Sequence, residues 1–170
     1  NMATYPLWLH DFSEDTGKHS EGLESAVTGL VFACEALRKA GDKVRLAYAE
    51  KLLISTLDYM MAKMQDPDGG VRMYNNELRA RYGAILGSRG WQADLLRDSN
   101  QTGEWTRPIA RAICYFRSLK GRRQYTEKLL AASYAAADFI VRNATAQVGE
   151  RHEVLRHLLF PPWFPGQSQP

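Results

Sequence analysis

At 170 residues, 45% hydrophobic and 24% charged, the chain has the length and composition of one globular domain with a sizeable core, which excludes a fibrous or disordered class. No apolar run is long enough to span a membrane, and two cysteines do not make a disulfide framework. The net charge of +3 is unevenly placed: residues 1–71 carry 7 Lys and Arg against 11 Asp and Glu, residues 72–128 carry 12 against 5. A basic middle attracts anionic ligands or forms a solvated face; nucleic acid is disfavoured, because no binding motif accompanies the charge.

Asn1 to Pro6 shows no basic and apolar signal pattern, which leaves the compartment unknown. Residues 1–19 read as an irregular arm whose Trp8 and Phe12 need burial. Ser20 suits the cap of a first long helix with Leu23, Ala26, Val27, Leu30, Val31, Cys34 and Leu37 on its apolar face. Gly41-Asp42 stops that helix and caps a second, from about Lys43 to Met64, with Leu46, Leu53, Leu57, Met60, Met61 and Met64 inward. The methionines read as gap-filling core, and Cys34 and Cys114 as small buried residues. Gln65-Asp66-Pro67-Asp68-Gly69-Gly70 demands a turn. The long connection 65–105 comes next, and its aromatics Tyr74, Tyr82, Trp91 and Trp105 argue against disorder.

Thr106 suits the cap of a third helix with Arg107 and Pro108 in its first turn. Ile109, Ala112, Ile113, Phe116 and Leu119 then recur at a helical period, and Gly121 ends the run. A fourth helix is expected from about Gln124 to Asn143, with Tyr125, Leu129, Ala132, Ala136, Phe139 and Ile140 on one face. Residues 150–160 are expected to form a short helix that cannot continue through Pro161-Pro162. The expected chain is all-α: two consecutive αα-hairpins, 20–64 and 106–143, with arm 1–19, connection 65–105 and tail 144–170 forming a loop-rich end.

An internal repeat supports that organisation. Tyr48-Ala49-Glu50-Lys51-Leu52-Leu53 matches Tyr125-Thr126-Glu127-Lys128-Leu129-Leu130, and the reversals at Gly41 and Gly121 correspond. In two successive hairpins the first and third helices start at the same end. Arm, connection and tail should therefore gather there, away from Gly41 and Gly121, beside helix N-termini that favour anions.

The segment Trp105 to Val141, centred on Arg-x-x-x-Tyr-Phe-Arg-Ser-Leu-Lys-Gly-Arg-Arg-Gln-Tyr, resembles a hairpin of the helical (α/α) toroids, and in particular of the six-hairpin glycosidase-like superfamily. Gln65 to Val71 is similar to a loop of its carbohydrate-active members. At roughly 40–50 residues per helical hairpin, a closed toroid needs about twice this length. The resemblance thus implies a module that a missing domain or a second chain completes. It also implies action on an oligosaccharide or polysaccharide by hydrolysis, lyase chemistry or epimerisation, with no cofactor.

Asp66, Asp68 and Glu104 are the candidate catalytic carboxyl groups. Hydrolysis needs two of them flanking a bond, about 5–5.5 Å apart for retention or 6.5–9.5 Å for inversion. Glu104 beside Trp105 suits a general acid, though a first-turn glutamate also simply complements the helix dipole. Asp66 and Asp68 also suit a Pro-Asp-Gly turn with no further role. Trp105 and Trp91 are placed either to stack on sugar rings or to anchor the core. Arg72, Arg107 and Tyr74 are candidate substrate contacts: lyase or epimerase work on a uronate needs an arginine for the carboxylate and a proton-moving tyrosine or histidine such as His10. No histidine pair has metal-ligand spacing, since His152 and His157 are off a common helical face. The rival reading is a non-enzymatic helical-repeat module that binds a protein or peptide across the same end.

Overall fold

A computed structural model describes residues 19–72, 97–148, 150–154 and 159–160. The arm 1–18, most of the long connection with Tyr74, Tyr82 and Trp91, and residues from 161 onward lie outside the described residues. The described chain is helical almost throughout, as expected. Helix α1 is His19–Ala40, α2 is Lys43–Tyr59, α3 is Ser99–Arg117 and α4 is Arg123–Asn143. Four short strands, β1 (Arg97–Asp98), β2 (Thr145–Val148), β3 (Arg151–Val154) and β4 (Leu159–Phe160), form two antiparallel pairs, β1 with β4 and β2 with β3.

The helices end where the residues dictate. Gly41 and Gly121 take φ of 72° and 79°, conformations that favour glycine and close a helix. Asp42 caps α2 by accepting the Arg45 N–H at 3.0 Å. Helix α2 runs on into a π-helical turn, Met60–Met64. The inward faces read from the period are those that pack. Val27, Val31, Leu53, Leu57, Met60, Met64, Ile109, Phe116, Leu129 and Phe139 are fully buried, each contributing about 1.5–3 kcal/mol against exposure.

The first helices of the two hairpins stack, and the second helices are linked through side chains. The two hairpins are α1–α2 and α3–α4, and α1 packs on α3. Midway along α3, Arg107 pairs with Glu24 of the first half of α1 at 3.0 Å, and near the ends of both helices Arg38 donates to Tyr115 Oη at 2.9 Å. Between α2 and α4, Tyr125 meets Ile54, Lys128 meets Asp58 and Gln65 meets Ala132. Both pairs of contacts advance in the same direction, so the stacked helices are parallel. This is the arrangement of consecutive hairpins in a helical repeat, rather than that of an up-and-down bundle with antiparallel neighbours.

Three expectations are corrected. Helix α3 starts at Ser99, not after Thr106, so Pro108 lies inside it. Pro108 has no N–H for the Glu104 carbonyl. The extra turns are held by tertiary contacts: Trp105 is buried and Thr102 Oγ1 accepts the Val71 N–H at 3.0 Å. Where a helix was expected over 150–160, Arg151–Val154 instead pairs as a strand with Thr145–Val148. Cys34 is buried, but Cys114 is exposed, off the face formed by Ile113 and Phe116.

Candidate functional site

The turn after α2 is the best-defined feature of the loop end. The Asp66 N–H donates to Gly70 O and the Gly69 N–H to Asp66 O, both at 2.9 Å, and Gly70 N–H reaches Asp68 Oδ1 at 3.1 Å. The turn is pressed onto the C-terminal half of α4. Gln65 Nε2 donates to Ala132 O at 2.8 Å, and a Cβ at Gly69 would lie 1.9 Å from Ala135 O. Gly69 also has φ of 96°, so only glycine fits on both counts. A Cβ at Gly70 would meet the Phe139 ring at 2.8 Å.

Four charged groups lock this turn. Arg72 Nε donates to Asp66 Oδ1 at 2.8 Å, and its Nη2 lies 2.6 Å from the same oxygen. Arg97 pairs with Asp68 and lies 3.9 Å from Asp66 Oδ2. The Arg97 guanidinium also stands 5.2 Å from the Phe139 ring centroid. Arg72 and Arg97 themselves bridge as neighbouring extended residues, and β1 goes on to pair with β4. Asp66, Asp68 and Arg97 are buried in side chain. Burial raises the Asp66 carboxyl above its ordinary range, against the pull of Arg72 and Arg97.

Among the sequence candidates, the structure brings Asp66, Asp68 and Arg72 into one cluster. Thr102, two residues before Glu104, is bonded to it through Val71. Among the described residues Glu104 Oε2 and Trp105 Nε1 are buried without a hydrogen-bond partner, polar loose ends one turn along α3 from that bond. Trp105 is 3% exposed and belongs to the core. Arg107 is exposed and reaches Glu24. Tyr74 and Trp91 lie outside the described residues. Among the described residues no group of His, Cys, Asp and Glu is placed to hold a metal ion.

Sequence reasoning missed Arg97, which no local pattern distinguishes from the other arginines of the basic middle. It also missed a second cluster at the reversal end. Glu50 Oε1 accepts from Arg38 at 2.7 Å and from Tyr115 Oη at 2.5 Å, and its Oε2 lies 3.6 Å from Arg122. Burial first, and Glu50 second, push the Tyr115 hydroxyl well above its ordinary value. Two clefts lie toward this end. One, of about 550 Å³, is bordered by Phe116, Leu130 and Tyr134; the other, of about 410 Å³, runs between α2 and Arg122. Neither is lined by Asp66, Asp68 or Glu104.

Comparison with protein-family models, with curated proteins and with solved structures yields no match. No described helix is long and apolar enough to cross a membrane.

Proposed function

We propose that the chain is a stacked-hairpin module of the glycosidase-like toroid kind that takes a glycan at its loop end. The observation that supports this reading is the parallel stacking of α1 on α3, with α4 side chains and backbone reaching the second helix and its terminal Gln65 in the same sense, which is how hairpins build a helical repeat. The turn Gln65–Arg72, held rigid by its arginine and aspartate pairs, supplies a fixed wall at the end where α1 and α3 begin. Glu104 is the carboxyl group proposed for proton transfer, because one of its oxygens is already desolvated and unpartnered. Asp66 is the proposed second group, its proton affinity raised by burial. Arg107, and Arg72 with its part-exposed side chain, favour an acidic sugar over a neutral one. In the lyase or epimerase version, Arg72 would meet the uronate carboxylate.

A second reading is a non-enzymatic helical-repeat module that binds a protein or peptide. It is favoured by the engagement of Asp66 and Asp68 with Arg72 and Arg97 and by the burial of Trp105. Both readings meet in one experiment: calorimetric titration of neutral and uronate-containing oligosaccharides against wild type and Glu104→Gln, with turnover measured in parallel. The glycan reading expects saturable binding of an acidic oligosaccharide by both proteins and turnover by wild type alone. No saturable signal from any glycan overturns it in favour of the second reading.

A further inference from the structure

The two reversals form one strongly basic end. Residues 35–51 and 117–128 hold ten Lys and Arg against four Asp and Glu, a formal +6 in a chain whose total is +3. The fold brings the two stretches together: Arg38 donates to Tyr115 Oη at 2.9 Å, and Arg122 lies 3.6 Å from Glu50. Five of the ten, Arg38, Arg45, Arg122, Arg123 and Lys128, each meet a carboxylate. The other five, Lys39, Lys43, Lys51, Arg117 and Lys120, are exposed and have no carboxylate partner among the described residues. Helix stability accounts for only part of this charge. Basic residues in the last turns of α1 and α3 complement the C-terminal ends of those helices. Lys43 and Arg45 in α2 and Arg123 in α4 sit at helix N-termini, which repel cations, and neither helix has an acidic residue in its first turn.

Two exposed tyrosines stand among these cations. Tyr48 is 66% exposed, and Val44, one turn before it, is 84% exposed. Arg45 and Lys51, three residues to either side, share the Tyr48 face of α2. Tyr134 is as exposed as Tyr48 and borders the cleft of about 550 Å³ together with Arg117 and Arg123. Arg122, next to Arg123 in the chain, borders the second cleft with Lys51. The basic surface thus runs from Tyr48 across the second reversal to Tyr134, with an aromatic ring toward each end.

We infer that this end binds a single-stranded nucleic acid, with its phosphates on the unpaired cations and its bases on Tyr48 and Tyr134. A basic stretch without a motif disfavours nucleic acid when the sequence is read alone. The fold joins two such stretches and sets tyrosines among them, which the sequence does not show. A strand's regular negative charge suits cations spread over two hairpin tips, and stacking on exposed rings needs unpaired, planar bases. A duplex hides its base faces. A bilayer surface is flat and does not fill the cleft that Arg117 and Arg123 border. A polyuronate carries the charge but no planar ring. The inference is independent of the glycan reading, whose carboxyl groups belong to the loop end.

Fluorescence anisotropy with a labelled oligouridylate of about twelve nucleotides tests it. Wild type is expected to bind saturably, and about a hundredfold more weakly in 200 mM than in 50 mM salt, as five phosphate contacts on a single strand require. The double variant Lys51→Gln, Lys120→Gln should flatten that loss to about twentyfold. Tyr48→Ala and Tyr134→Ala should each weaken binding about tenfold and leave the salt dependence unchanged. All four positions are exposed, so each variant should melt within about 2 °C of wild type. The absence of a saturable signal overturns the proposal, and so do tyrosine variants that bind as wild type does. A duplex or a polyuronate of equal charge that binds as tightly as the oligouridylate assigns the surface to charge alone and overturns it too. Binding to phosphatidylserine vesicles but not to the oligouridylate gives the surface to a membrane instead.

Discussion

Thr102 Oγ1 accepts the Val71 N–H at 3.0 Å, a bond that ties the turn after the second helix to the first turns of the third. Around it, the Asp66–Arg72 and Asp68–Arg97 pairs hold the loop end together. Removing one partner of such a buried pair strands the other's charge, which costs about 3 kcal/mol. Asp66→Ala is expected to lose that much in urea denaturation. A loss below about 1 kcal/mol, the range of an exposed pair, would show that the cluster is not structural.

The same carboxyl sets a pH dependence. Burial holds the Asp66 proton in the folded protein to a higher pH than the ordinary 3.8. Between those two values the folded state binds more protons than the unfolded chain. The contribution of this group is therefore fully present below the ordinary value and is lost as pH rises through the raised one. Wild type should gain on Asp66→Asn toward the acid end of a pH series of urea midpoints. A difference that widens with rising pH would reverse the sign.

Two glycines should respond oppositely to alanine. At Gly69 a Cβ meets Ala135 O at 1.9 Å with φ at 96°, and Gly69→Ala is expected to cost about 2 kcal/mol or more. At about 2–4 °C per kcal/mol for a chain of this size, that is a fall of at least about 4 °C in Tm. Gly29 lies inside α1 with nothing within 4 Å of an added Cβ. Gly29→Ala should raise stability by about 0.5–1 kcal/mol. Equal shifts from the two would contradict the packing of the turn on α4.

The cysteines should separate chemically. Cys34 is buried, and burial raises its thiol pKa, while Cys114 is exposed. One equivalent of a thiol reagent is expected to react in the folded protein at neutral pH, at Cys114, with Cys34 reacting only on unfolding. Peptide mapping that finds Cys34 labelled first would contradict the α1–α3 packing.

The helices were legible because their apolar residues repeat at a period that only a helix brings to one face, as at Ile109, Ala112, Ile113 and Phe116. The start of α3 was not. Thr106-Arg107-Pro108 carries every local sign of a helix beginning, and the contacts that extend the helix back to Ser99 come from Val71 and the core, distant in sequence. The tail misled in another way: Leu155, Leu158 and Leu159 suggest helical spacing, but Thr145–Val148 and Arg151–Val154 pair as antiparallel strands. At the site, Asp66 and Asp68 stood out through their turn. Arg97 did not, because an ion pair spanning 29 positions leaves no periodic mark.

The second helix carries one residue more than its final turn requires. The Gln65 N–H bonds to Met60 O, five residues back, at 3.2 Å, and each residue advances a helix by about 100°. The Met60–Met64 turn therefore acts as a phase shift, rotating Gln65 and its turn relative to the regular helix before them. Its result is that Gln65 Nε2 reaches Ala132 O on the next hairpin. Deleting Ala62, which is exposed, would restore an unbroken α-helical register through this stretch. It would also swing the Gln65 amide off α4, unseating the turn without touching any of its own residues.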